Sequence, residues 1–286
     1  MTSKLQSNIS FFKRFFVRRK FRDFLFQRVF YDKEDLLDLY NAVNGTHYTD
    51  PNELQITTLE DAIYMSMKND KSFIISSTLN LYEHQSTVNP NMPIRGLLYF
   101  ARLYEAYIST HKLNIYGHKL LPLPTPHYIV FYNGRESLPD RTTLKLSDAF
   151  IKNRDSDNFP SLECVATVLN INYGHNEATL KACKRLGDYS KFIQKVNEGL
   201  DNNLNLKDAI EFATSYCIEN DILADILVKH RSEVMNMLLT EYDEKLHLKS
   251  VFEEGAASRQ AEIDQKDNEI KRLKELLETN NINTNS

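Results

Sequence analysis

Residues 70–85, DKSFIISSTLNLYEHQ, are two strand-like runs around a polar centre. The stretch 70–76 is β-branched and aromatic, 79–85 alternates, and Ser76-Ser77-Thr78 supplies a turn, so the spacing predicts an antiparallel hairpin. Residues facing each other across that turn sum to about 153–155, which sets Asp70 opposite, or within one position of, Glu83–Gln85. Period two puts Leu79, Leu81, Glu83 and Gln85 on one face and Asn80, Tyr82 and His84 on the other.

Upstream, the apolar segment 59–67 adds a third strand to an antiparallel meander, and 34–44 has helical spacing that stops at Asn44-Gly45. Downstream, Pro93 is placed to open a helix through residue 110, with an apolar stripe of Ile94, Leu97, Leu98, Ala101, Tyr104 and Ile108. Residues 127–132 and 162–171 read as further strands, separated by a polar stretch containing Pro139 and Pro160. From Asn176 the pattern is helical over 176–199, 205–219, 222–230 and 232–247. Strands and helices alternating before an all-helical half give an α/β fold class.

Composition agrees with a globular chain. Apolar residues make up 42% of the 286, and Gly and Pro number eight each, which disfavours wholesale disorder and repetitive scaffolds. No apolar run reaches the roughly 20 residues that span a bilayer, and no secretory signal is recognisable, so no membrane association is expected. Cys164, Cys183 and Cys217 are odd in number and lack CxxC spacing, which predicts buried reduced thiols in a cytoplasmic protein rather than disulfides or zinc.

Charge is unevenly spread. Residues 11–30 carry a local +6 within a chain of net −4, which suits attraction to a phosphate backbone or an anionic membrane surface, or an amphipathic helix that snorkels its charges while Phe24, Leu25, Phe26, Val29 and Phe30 pack inward. Arg18, Arg19 and Lys20 in this segment, with Arg95 and Arg102 on the helix after Pro93, are the candidate nucleic-acid contacts. Near the C-terminus Ile263, Ile270 and Leu277 recur every seven residues with Leu273 at a d-type place, the pattern of a short coiled coil over 256–278 and a route to a homo-oligomer; Lys266 interrupts it. The chain divides into a basic aromatic segment 1–20, a core 21–175, a helical region 176–250, the coiled coil 256–278 and a polar tail 279–286.

Two carboxylates on adjacent strands, Asp70 and Glu83, suffice to hold a hard cation such as Mg²⁺ through oxygen, with water completing the shell. His84 points away from them by alternation, which favours packing over metal ligation.

The run KNDKSFIISSTLNLYEHQSTVNPNMPIRGLLYFARLYE (68–105), followed by LPTPHYIVFYNG (123–134), resembles the Rpn/YhgA-like family of recombination-promoting nucleases and putative transposases, over about residues 20–250. That family belongs to the PD-(D/E)XK nuclease superfamily. The resemblance implies a restriction-endonuclease-like mixed sheet flanked by helices. It assigns Asp70 to the motif Asp and Glu83 to the motif Glu, with Gln85 at the place of the superfamily's Lys, in the ExQ form of this family. It matches the acid on a preceding helix to Asp23, with Glu34 and Glu60 as alternatives. The implied activity is Mg²⁺-dependent endonucleolytic hydrolysis of DNA, with Mn²⁺ as a substitute, linked to bacterial recombination or transposition. The rival readings are a catalytically silent nuclease-fold module that binds DNA or protein, and a nuclease directed at RNA.

Overall fold

The computed structural model describes residues 21–57, 71–151 and 160–230, and isolated positions from 233 to 271. The chain forms two compact units, Met1–Val234 and Met235–Ser286. The first contains helix α1 (21–29), α2 (Lys33–Asn44), strands β1 (Gln55–Ile56), β2 (Lys71–Ile75) and β3 (Thr78–Gln85), and helix α3 (Met92–Thr110). It continues with β4 (Thr125–Tyr132), β5 (Arg141–Lys145), β6 (Val165–Asn170), α4 (Glu177–Ala182), α5 (Lys184–Asp201), α6 (Leu206–Glu219) and α7 (224–230). Within this architecture the expected α/β class is observed.

The sheet has the order β1-β2-β3-β4-β6-β5, with β1, β2 and β3 antiparallel, β3, β4 and β6 parallel, and β5 antiparallel to β6. Turning from β3 into a parallel β4 demands a crossover, and α3 is that crossover. The hairpin follows the expected register, since Lys71 pairs with Tyr82 and Ile75 with Thr78. Its two-residue turn, Ser76-Ser77, has φ of 46° and 64°, the paired positive values of a hairpin turn that matches strand twist.

Central β3 is buried at every position after Thr78, as a strand covered on both faces must be. On one face Leu79, Leu81, Tyr128 and Val130 pack beneath Met92, Tyr99, Phe100 and Leu103 of α3. On the other, Tyr82 meets Phe131, which meets Phe26 of α1, which meets Tyr189 of α5, with ring centroids 5.3, 5.3 and 5.4 Å apart. Behind this layer α5 packs on α6 through Phe192, Ile193 and Val196 against Ala209, Ile210 and Ala213, all buried.

Several expectations are corrected. The buried face of α3 is Met92, Gly96, Tyr99, Phe100 and Leu103, whereas Ile94 and Leu98 are 40% and 54% exposed, because the helix turns its glycine toward the sheet. A Cβ built on Gly96 would run into the Tyr128 ring. The helix expected over 176–199 is broken at Cys183, which lies in extended backbone (φ −115°, ψ 103°). Strand β5 is an edge strand whose exposed Arg141 and Lys145 carry no apolar signal. The first meander strand expected at 59–67, the helix expected at 232–247 and most of the seam at 256–278, Leu273 and Leu277 included, lie outside the described residues. In the second unit Ile263 and Ile270 are helical and 46% and 50% exposed.

Helix α2 forms where expected, burying Leu36, Leu37, Leu39 and Tyr40, and ends on Gly45 in the left-handed conformation, whose N–H bonds to Asn41 O. In α1, Leu25, Phe26, Val29 and Phe30 are buried as expected, while Phe24 is half-buried beneath the Arg28 guanidinium. Among the described residues no helix is long and apolar enough to cross a membrane.

Two predictions follow from this packing. Replacing Gly96 with Ala should destabilise the protein: overpacking costs about 1–3 kcal/mol and helix propensity returns about 1 kcal/mol, and the hard contact with the buried Tyr128 ring puts the cost at the upper end, so the unfolding free energy should fall by about 1–2 kcal/mol, read as a lower urea midpoint. An unchanged or raised midpoint would contradict the contact with Tyr128. Separately, burial raises all three thiols, Cys183 to about 11 and Cys217 to about 12, so at pH 8 they should react with Ellman's reagent only after denaturation. Their folded values exceed the ordinary 9.0, so their contribution to stability is complete below about pH 9 and is lost as pH rises through 11 and 12. Alkaline denaturation monitored by circular dichroism checks this.

Candidate active site on the central strand

The C-terminal half of β3 carries polar residues where a central strand is usually apolar. Glu83 is 2% exposed and Gln85 4%. Alternation turns both toward α3, below Leu79 and Leu81 of the same face. A buried carboxylate is unfavourable unless charged or hydrogen-bonding groups surround it, and Gln85, Tyr128 and Arg95 are such neighbours of Glu83. Gln85 Nε2 donates to Oε1 at 2.7 Å, the Tyr128 hydroxyl donates to Oε2 at 2.6 Å, and the Arg95 guanidinium forms an ion pair with Oε1. Burial lowers the pKa of Arg95, but the adjacent Glu83 and hydrogen bonding to Tyr99 outweigh it, and the net shift is upward.

Each partner comes from a different element. Gln85 shares the strand, Tyr128 lies on β4, where Glu83 is in register with Val130, and Arg95 lies in the first turn of α3 after Asn91 at the N-cap. Gln85 Oε1 is buried with no hydrogen-bond donor. An oxygen acceptor in that state beside a carboxylate fits a hard divalent cation or its water, so the oxygen donors of Glu83 and Gln85 suit Mg²⁺. Among the described residues no three His, Cys, Asp or Glu side chains converge as a metal site. Asp70, the other expected ligand, lies outside the described residues, one position before Lys71 in the chain.

The structure takes Asp23 to a different partner. Its carboxylate Oδ1 is 2.7 Å from His84 Nδ1, and His84 faces away from Glu83. His84 Nε2 lies 2.9 Å from the Tyr189 hydroxyl, which also reaches the backbone oxygen of Arg22 at 3.2 Å. Burial, ahead of every other influence, holds the Tyr189 phenol well above its ordinary pKa and thus protonated. Asp23, His84 and Tyr189 therefore tie α1 and α5 to the far face of β3, so the structure does not bring Asp23, the acid that the resemblance matches to the family's helix carboxylate, beside Glu83, and His84 is held there by hydrogen bonds. Of the alternative acids, Glu34 is exposed in the first turn of α2, and Glu60 lies outside the described residues.

Arg95 joins the site rather than standing on an outer face, while Arg102 is exposed on α3. Arg18, Arg19 and Lys20 lie outside the described residues. Tyr128 was not expected as a site residue: within the apolar strand 127–132 nothing in the sequence sets its hydroxyl apart. Tyr189, in the helical half, carried no signal either.

No protein-family model, curated protein or solved structure matches this chain. The site is therefore read from its own geometry.

Replacing Tyr128 with Phe removes a donor from a buried carboxylate and should lower stability by about 1–3 kcal/mol. In a Glu83→Gln background the same change should cost clearly less. Equal losses in the two backgrounds, measured by urea denaturation, would show that the hydroxyl does not act through Glu83.

Proposed function

We propose that this chain is a Mg²⁺-dependent endonuclease that hydrolyses DNA phosphodiesters, in keeping with its resemblance to the Rpn/YhgA-like recombination-promoting nucleases. The observation that carries the reading is the buried pair Glu83 and Gln85 at the end of β3, with Gln85 Oε1 lacking a donor and Arg95 at the mouth. A carboxylate and an amide so buried do not serve solubility, and a strand that only needed packing would carry apolar residues there.

In this reading Asp70 and Glu83 hold the cation, which, when bound, polarises the phosphate and activates a water. The chain's own residues do the remaining work. Tyr128 fixes the orientation of Glu83, and Gln85 positions the attacking water through hydrogen bonds, since a neutral amide cannot supply the charge of a lysine. The hairpin register, with Lys71 opposite Tyr82, keeps a pair sum within the 153–155 expected from the sequence, which supports the reading of Asp70 as the partner of Glu83. The local +6 over residues 11–30 supports a polyanionic substrate, and the heptads over 256–278 support a homo-oligomer that could cleave both strands of a duplex. The three free, buried thiols support a cytoplasmic setting for this activity.

One observation favours a second reading, a silent nuclease-fold module that binds DNA or protein: both oxygens of Glu83 already have partners within the chain. Supercoiled-plasmid nicking with Mg²⁺ and with EDTA separates the two. Wild type should nick only with metal, and Asp70→Ala or Glu83→Ala, each shown to be folded, should lose on the order of a hundredfold or more. Gln85→Ala should be milder. Cleavage that persists without either acid would sink this site, a wild type inert with Mg²⁺ and Mn²⁺ would favour the silent module, and preference for an RNA substrate would redirect the assignment.

A further inference from the structure

Arg95 pairs with Glu83 at Oε1, the same oxygen that accepts from Gln85 Nε2. Its side chain is 21% exposed against 2% for Glu83, so the guanidinium stands between the carboxylate and solvent. Its flexible stem rises from the first turn of α3, so the head can swing outward without moving the helix. A neutral Gln85 is what lets it sit there, because a lysine at that position would set two cations against one carboxylate oxygen.

We propose that Arg95 is an internal counter-cation: it holds Glu83 in the metal-free protein, gives up Oε1 when a divalent cation is bound, and, turned outward, offers the substrate phosphate the positive charge that Gln85 lacks. This rests on the metal-dependent reading above. A single carboxylate oxygen cannot keep a guanidinium and a divalent ion in contact at once, since the two cations repel across a poorly solvated site. Once displaced, an arginine at the mouth of the site is suited to a phosphate, which it can grip with two parallel donors.

The test uses the full-length chain stripped of metal, titrated calorimetrically with Mn²⁺ and assayed for plasmid nicking at saturating Mn²⁺. Arg95→Gln should bind Mn²⁺ about tenfold more tightly, because its competitor is gone, yet cleave at least about tenfold more slowly. A residue that only supports the fold would weaken both. Adding Gln85→Lys to Arg95→Gln should restore part of the lost rate, and no restoration would overturn the charge-supplying role. Should Arg95→Gln fail to fold, Arg95→Lys, a shorter point charge, should bind Mn²⁺ more tightly than wild type and cleave more slowly. Wild type that binds Mn²⁺ no less tightly than the Arg95 variants overturns this proposal alone, whereas wild type that binds no metal overturns the metal-dependent reading with it.

Discussion

A carboxylate removed from water as fully as that of Glu83 carries a desolvation penalty of several kcal/mol, and the groups that offset it must be held in place by the fold. Arg95, Tyr128 and Gln85 reach it from α3, β4 and β3, so the carboxylate couples the start of the crossover helix to the register of the parallel pair it joins. A slip of one residue between β3 and β4 would turn Tyr128 to the other face and remove its hydroxyl. The close approach of α3 at Gly96 follows from the same requirement, since the Tyr128 ring occupies the space that a larger side chain would need.

The far face of β3 is built on another principle. There His84 is held between Asp23 and Tyr189 and stacks near Phe26, with ring centroids 5.0 Å apart, so a polar residue is absorbed into an aromatic layer by satisfying both ring nitrogens. Arg22, also buried, donates to the backbone oxygen of Asn133 and, at 2.8 Å, to Asn197 Oδ1, joining α1 to the end of β4 and to α5. Three consecutive residues thus take part in two separate networks, 83 and 85 in one and 84 in the other. Fixing one side of the strand rigidly is what allows side chains on the other to be set for chemistry.

What could be read from the sequence follows what each segment's neighbours demand of it. The hairpin was legible because turn, alternation and apolar content agree, and the pairing of Lys71 with Tyr82 falls within the expected sum. Glu83 and Gln85 on one face followed from period two alone. The buried face of α3 was not legible: apolar residues lie nearly all round that helix, and the choice between Leu98 and Phe100 rests on where Gly96 can approach Tyr128, a contact 32 residues away in the chain. The placement of Asp23 depends on packing in the same way. A sequence can place an acid on a helix, but which face of the sheet that helix covers is decided by packing, here of Phe26 on Phe131. Strand β5 escaped notice because an edge strand with exposed Arg141, Thr143 and Lys145 keeps only its ladder hydrogen bonds and no apolar rhythm.

The position of the candidate site within the sheet follows from the same topology. Strands β3, β4 and β6 run parallel and end at Gln85, Tyr132 and Asn170, and open α/β sheets leave their usable crevices at the carboxyl ends of parallel strands. Beyond those ends the ladder closes through two further bonds, Asn133 N to Gln85 O at 2.9 Å and Ile171 N to Tyr132 O at 2.8 Å, after which the chains diverge. A polar cleft of about 540 Å³ opens beyond the ends of β4 and β6, lined by Gly134, Arg135, Asn170, Asn172, His175 and Asn197 and by no side chain of the Glu83 cluster. Glu83 lies two residues inside this edge, deep enough to be dehydrated yet close enough for Arg95 to bridge it to solvent. One strand earlier in the order, the antiparallel β2 brings its first residues beside the same end of β3, so the mixed topology can deliver a second side chain there without a separate loop. Antiparallel pairing on one flank and parallel pairing on the other thus make this edge of the sheet the place where chemistry can be assembled.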